Sequence, residues 1–210
     1  SSGHGTVLTT IGVTSGLWYA ESTLTATGPG GIGFTSNPAA ESSYTTISGK
    51  WWCYDNGGNF IINNQGSGTS YATRFASGQV WQWAINVNTG NAWIGVNNAW
   101  LNSTNGTTGN PATGANPTFT FTAGTLIWPF LEGAGNPTWN ANFGQQPFIY
   151  TAPTGFVALN TYNLSTPTIA NGAVYMAATT YTGTGAALTV ANTVNGTNFQ
   201  PDLVWVKGRS

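Results

Sequence analysis

The 210-residue sequence predicts an all-β protein, an antiparallel two-sheet β-sandwich with a C-terminal β extension. Three observations carry that prediction. In Val80-Trp81-Gln82-Trp83-Ala84-Ile85-Asn86-Val87, apolar side chains alternate with period two, setting Trp81, Trp83, Ile85 and Val87 on one face. Short β-branched and aromatic runs recur between glycine, proline and asparagine turn signals, as sandwich strands do. No window sustains an i, i+3, i+4, i+7 apolar stripe with caps, so helices have no support.

In chain order, strands are expected over 6–13, 17–25, 31–35, 51–54 and 59–63. Gly28-Pro29-Gly30-Gly31, Asn37-Pro38 and Asp55-Asn56-Gly57-Gly58 supply turns between them. Residues 80–96 read as a hairpin turning at Asn88-Thr89-Gly90-Asn91, whose residues tolerate positive φ. Strands over 118–122, 126–131 and 138–143 close the sandwich, which is expected to span 1–147. A Pro/Thr-rich connector follows over 148–170, then the incomplete start of a second β module over 171–210, with strands at 173–181 and 203–207. Too little apolar text follows Pro167 for a separate core, so those strands are expected to pair outside their own segment.

One segment breaks the rhythm. Residues 97–117 form a long Gly/Asn/Thr-rich loop, and loops of that length in compact domains are usually functional or disordered. Gly106, Gly109 and Gly114 raise its ordering cost, so it is expected at the surface, held by a partner. Trp100 lies in it beside Asn98, Asn102 and Asn105. A flat ring next to amides suits a sugar, stacking on C–H faces while the amides meet hydroxyls. These four residues are the candidate partner contacts, with the alternative that Trp100 folds back to pin its own loop. Trp18, Trp81, Trp83, Trp93, Trp128 and Trp139 are expected to pack in or between the sheets, and Trp51-Trp52 to point one ring in and one out.

Composition removes whole classes of function. Charged residues make up 4% of the chain, and its cations are Lys50, Arg74, Lys207 and Arg209. A DNA-binding surface neutralises about 6–10 phosphates, so nucleic acid is not an expected partner. A polybasic membrane contact fails for the same reason. No apolar run approaches the roughly 20 residues that span a bilayer, and the first residues lack the basic and apolar regions of a signal peptide. Aromatics at 13% speak for a folded chain. Cys53 is the single cysteine, so no internal disulfide forms.

Catalytic and metal readings fare poorly. Residues 28–33 match G-x-G-x-x-G, but the text after them does not open a helix, so a glycine-rich turn is expected rather than a nucleotide site. A glycosidase needs paired carboxylates, and 1–147 offers Glu21, Glu41, Asp55 and Glu132, with Glu21 in a strand. A serine triad would have to use His4, near the terminus. With one His and one Cys, zinc lacks ligands, and no EF-hand spacing is present. No catalytic residue, metal site or cofactor is expected.

Three stretches resemble the SPRY domain as it occurs in phage and marine viral structural proteins. The first is Ile11-Gly-Val-Thr-Ser-Gly-Leu-Trp18-Tyr19-Ala-Glu21, the second the hairpin from Trp81 to Val96. The third, Ala141-Asn-Phe-Gly-Gln-Gln-Pro-Phe-Ile-Tyr-Thr-Ala-Pro-Thr-Gly-Phe156-Val-Ala-Leu-Asn with Leu164-Ser-Thr-Pro-Thr-Ile169, is the most specific. Phe199-Gln-Pro-Asp-Leu-Val-Trp-Val-Lys-Gly-Arg209 resembles the opening of the following module in such proteins. The resemblance covers about residues 5–170 and implies a concanavalin-like jelly-roll sandwich without catalytic residues, binding through loops at one end. Ala20, Asn86 and Asn88 depart from the family pattern, as does the expanded 97–117 loop.

The expectation is a non-enzymatic virion protein, a tail-fibre or capsid-decorating component. Its partners would be other virion subunits, including copies of itself, and a host-surface glycan or receptor. A purely architectural spacer is the second reading and a polysaccharide depolymerase the third.

Overall fold

The structure, a computed structural model, describes residues 4–26, 28–38, 48–55, 59–72, 75–134, 137–165, 169, 171–172, 175–191, 193–194, 197–198 and 200–208. It divides into two compact units, Ser1–Leu164 and Ser165–Ser210.

The first unit is the sandwich. One sheet runs in the order β1 (His4–Leu8), β11 (Trp128–Ala134), β3 (Gly30–Thr35), β4 (Lys50–Asp55), β5 (Asn59–Asn64), β6 (Ser67–Ala72). The other runs β10 (Phe119–Thr120), β8 (Asn91–Val96), β7 (Val80–Asn86), β2 (Leu17–Ala26), β12 (Thr138–Asn142). A two-residue strand, β9 (Ala99–Trp100), also pairs with β8. All these pairings are antiparallel. The exception is β13 (Val157–Ala158), which lies parallel to β2 at Trp18 and Tyr19. Beyond it β12 pairs Glu21 to Ala26, so two separate segments share one edge of β2.

Period two decides the core. Ile32, Phe34, Trp51, Cys53, Phe60, Ile62 and Leu131 face inward from the first sheet. Trp18, Leu24, Trp81, Trp83, Ile85, Ile94 and Phe119 meet them from the second. Full burial of an aliphatic or Phe side chain contributes about 1.5–3 kcal/mol, so this interface dominates stability. The expected register of β7 holds: Trp81, Trp83 and Ile85 share the inner face. Yet Gln82 and Ala84 are equally buried. The strand is covered on both sides, because a second cluster of Tyr19, Ala84, Trp93 and Phe156 lies on the outer face, with Leu17, Trp100, Phe148 and Ala152 packed against it.

That outer cluster corrects the expected connector. Phe156 and Leu159 are buried and β13 is a strand, so the text after residue 147 continues the sandwich as far as Leu164. The prolines break strand pairing there but leave Phe148 and Phe156 free to cover the sheet.

The glycine run also finds its reason. Gly30 to Gly33 lie in β3, not in a phosphate loop before a helix. A Cβ on Gly31 would meet Trp52 Cε3 at 2.8 Å, and one on Gly33 would strike the Trp51 carbonyl and the Trp52 Cβ. Trp52 thus lies over glycines on the outer face while Trp51 points into the core.

In the second unit β14 (Thr193–Val194) pairs antiparallel with β15 (Thr197–Asn198). The strands expected at 173–181 and 203–207 are absent among the described residues 175–181 and 203–207. Leu203, Val204 and Trp205 are exposed there. An isolated run of β-formers has neither ladder partner nor buried face, and short hairpins alone are marginal in water.

Candidate functional site: a polar groove beside the long loop

The 97–117 loop builds itself. Asn97 and Asn98, at φ 49° and 65°, make a two-residue turn between β8 and β9 of the type that matches strand twist. Asn97 Oδ1 accepts from the Val80 N–H at 2.9 Å. Asn102 Oδ1 accepts from the Thr104 N–H, the Thr104 hydroxyl and the Gly106 N–H at 2.9, 3.0 and 2.8 Å. Its Nδ2 donates to Thr108 Oγ1 at 2.9 Å. Leu101 is fully buried in the core, and Trp93 Nε1 donates to the Ala115 carbonyl at 2.9 Å. Asn110 and Ala115 form an antiparallel bridge. Side-chain capping and one buried leucine thus offset part of the glycine cost from within the chain.

Between this loop and the two sheets lies a groove of about 350 Å3, lined by Asn64, Asn102, Ser103, Asn116, Pro117, Thr118, Phe119 and Thr120. Its walls come from three places: β5 in one sheet, β10 in the other, and the loop. Thr118 Oγ1 fixes the junction, donating to the Leu101 carbonyl at 2.6 Å and accepting from the Ile94 N–H at 3.1 Å. Tyr71 on β6 ties the first sheet to the loop through the Ser103 carbonyl at 3.4 Å.

Of the four residues expected as partner contacts, Asn102 lines the groove, with its amide committed to shaping the loop. Asn98 is exposed in its turn, and its N–H donates to Gln82 Oε1 at 2.7 Å. Asn105 is half-buried with φ 64°, and its N–H donates to the Asn102 carbonyl at 3.3 Å. Trp100 is half-buried on the outer face of the second sheet, edge-on to Tyr19 at 6.3 Å and 63°. Trp100→Ala is expected to lower stability by about 2 kcal/mol, half the cost of a fully buried ring. Thermal melts of the variant check it, and an unchanged melting temperature would mean the ring pins nothing. Asn64, Thr118 and Thr120 escaped the sequence reading. Period two around Phe119 does mark its threonine neighbours as facing away from the core, but nothing in the sequence ties them to Asn64.

A second polar system lies on the outer face of the same sheet. The Tyr19 hydroxyl donates to Glu21 Oε1 at 2.6 Å and accepts from Gln82 Nε2 at 2.9 Å. Glu21 also accepts from the Ile149 and Tyr150 N–H groups, both at 2.8 Å, and so holds the 148–156 segment on the sheet. Burial lifts the Tyr19 phenol well above its ordinary value of 10.0; the bond to Glu21 adds to the rise and the bond from Gln82 opposes it. Tyr54 is raised by burial as well. A raised folded-state pKa favours the neutral phenol, so its contribution is full below about pH 10 and lost as pH climbs past it. Alkaline denaturation is expected from that point upward, and Tyr19→Phe should weaken the dependence. Stability that stays level to about pH 11 in the native chain would contradict it.

Further ionisable side chains are buried in the sandwich. Lys50 Nζ sits 2.8 Å from Glu132 Oε2 with both side chains 1% exposed. Asp55 is buried at the end of β4, and Cys53 is a buried thiol in the core. Glu41 lies outside the described residues, and no trio of His, Cys, Asp or Glu suited to a metal occurs among those described.

No family model matches the chain, and no curated protein matches it in sequence. Among solved structures, the SPRY domain of human HERC1 matches with a TM-score of 0.51 at 17% identity, over 70% of this chain and 87% of that one. At that identity the likeness speaks for fold alone. The chain has a SPRY-like fold, an all-β sandwich of two antiparallel sheets.

Proposed function

We propose that this chain is a non-enzymatic adhesion or structural module of a viral particle, a tail-fibre or capsid-decorating component of a tailed phage. It meets a host-surface glycan or protein, or a neighbouring virion subunit, through loops at one end of the sandwich. The observation that carries the reading is the groove beside the 97–117 loop, a concave polar surface on a loop that keeps its own shape. Preformed loops lose little entropy on binding. The run from Ala141 to Ile169, similar to the exit of the viral SPRY domain, supports the virion setting. Glu21 and Glu132 are engaged in hydrogen bonds and a buried ion pair, which supports binding over hydrolysis.

The test is to present the labelled chain to a panel of bacterial cells and their extracted surface polysaccharides. Saturable binding without release of reducing sugar is the expected result. Sugar release that disappears in Glu21→Gln or Glu132→Gln would overturn the non-enzyme reading. The purely architectural reading draws on β6, an exposed strand at the end of its sheet, because open edges pair readily. It expects light scattering to show self-association that rises with concentration, and no cell binding.

A further inference from the structure

We infer that the groove between β5, β10 and the 97–117 loop is a subsite for one uncharged sugar ring. The inference rests on the adhesion reading and narrows it to a ligand class and to particular atoms.

The lining divides into groups already committed and groups still available. Thr118 and Asn102 spend their polar atoms on the protein itself, and Asn116 Nδ2 donates to the Thr108 carbonyl at 3.1 Å. These are rigid walls. The Asn64 amide and the Ser103 and Thr120 hydroxyls make no side-chain hydrogen bond among the described residues, and all three side chains are exposed. They come from a strand of each sheet and from the loop, so they converge only in the folded chain.

What they offer is paired donors and acceptors without charge. An amide gives an N–H donor pair and a carbonyl acceptor, and each hydroxyl gives both. A sugar hydroxyl also donates and accepts, so one amide can meet two neighbouring hydroxyls of a ring. The half-buried ring of Pro117 gives apolar contact for the C–H face. Among the described residues, no Lys, Arg, Asp or Glu lines the groove. A carboxylated, phosphorylated or amino sugar would therefore surrender hydration of its charge without an ionic partner. At about 350 Å3 the groove lies at the small end of ligand sites, which suits a single ring. Affinity for a free ring is weak, and a polymer of such rings binds the assembled particle through many copies.

The experiment titrates the full chain, followed by NMR chemical shifts, with the methyl glycosides of glucose, galactose, mannose and N-acetylglucosamine. Glucuronic acid, N-acetylneuraminic acid and galactosamine are the charged probes. Saturable shifts are expected at the Asn64 side-chain amide and at the Ser103 and Thr120 backbone amides for at least one neutral glycoside. Charged probes should bind at least tenfold more weakly. Asn64→Ala and Thr120→Val, both at exposed positions, should each weaken binding about tenfold and leave the melting temperature unchanged. Absence of saturation by every neutral glycoside overturns the subsite, and so does equal binding of the charged probes. Saturation that persists unchanged in both variants overturns it too. If the chain binds cells and neutral glycosides fail to compete, the subsite falls while adhesion stands. If a neutral glycoside saturates the groove and no cell is bound, the subsite stands and the adhesion reading falls.

Discussion

Replacing Lys50 by Met is expected to destabilise the sandwich by about 3–5 kcal/mol, the cost of stranding a buried charge. Its ammonium lies 2.8 Å from Glu132 Oε2, 4.0 Å from the Trp52 ring centroid and 4.7 Å from that of Phe130. Both members of the pair are 1% exposed, so solvent screens little of their interaction. Removing the cation leaves Glu132 in an aromatic environment without its counter-charge. Glu132→Leu alone should do comparable damage from the other side. The double variant should return close to the native stability, because two apolar groups strand no charge. Urea unfolding of the three variants measures the coupling. A single Lys50→Met loss below about 1 kcal/mol would mean that the pair is hydrated or dispensable.

The second large effect is expected at Trp83. This ring is 1% exposed, stacks near Phe143 at 5.9 Å and 24°, and donates from Nε1 to the Gly33 carbonyl at 2.9 Å. Trp83 belongs to one sheet and Gly33 to the other, so this bond crosses the core. Trp83→Ala should cost about 3–5 kcal/mol through the cavity it leaves. In a domain of this size, each kcal/mol lowers the melting temperature by about 2–4 °C. Trp83→Phe separates the parts: it keeps most of the packing and loses the bond, so a loss nearer 1–2 kcal/mol is expected. Equal losses in both variants would assign the whole effect to the hydrogen bond.

These residues show what was legible. Period two alone puts Trp81, Trp83 and Ile85 on one face, and the structure buries them there. The strands of the 80–96 hairpin and those at 17–25, 31–35 and 51–54 also emerge close to the expected bounds. Periodicity and turn chemistry are local, so one strand's text is enough to read them. The short strands were not legible. Ser67–Ala72, Ala99–Trp100 and Val157–Ala158 lack an apolar alternation and exist because a neighbouring strand offers them hydrogen bonds.

The internal hydrogen bonding of the 97–117 loop was not legible for a related reason. Its glycine count was visible, whereas its compensation came from Asn102 accepting three hydrogen bonds and from Leu101 reaching the core. Asparagine side chains that imitate backbone turns are common in sequence, but whether one is engaged depends on the path of the chain around it. The exposed residues of the second unit failed in the opposite direction. Leu203, Val204 and Trp205 have strand-forming side chains, and propensity alone does not supply a partner.

By itself, then, the sequence determined that this chain is an all-β sandwich, because alternation, turn residues and the absence of a helical stripe act over a few residues at a time. It also shows a chain with few ionisable side chains, 4% of its residues being charged. Only the tertiary structure decided where the chain presents a surface. Asn64 and Thr120 are 56 positions apart (120 − 64), and Ser103 stands on a third element between them. Trp100, the residue that looked most like a ligand contact, was turned instead toward Tyr19 by its pairing opposite Gly95. A groove is a relation between strands that are distant in the chain, and such relations are set by sheet register and loop closure rather than by any local run of residues.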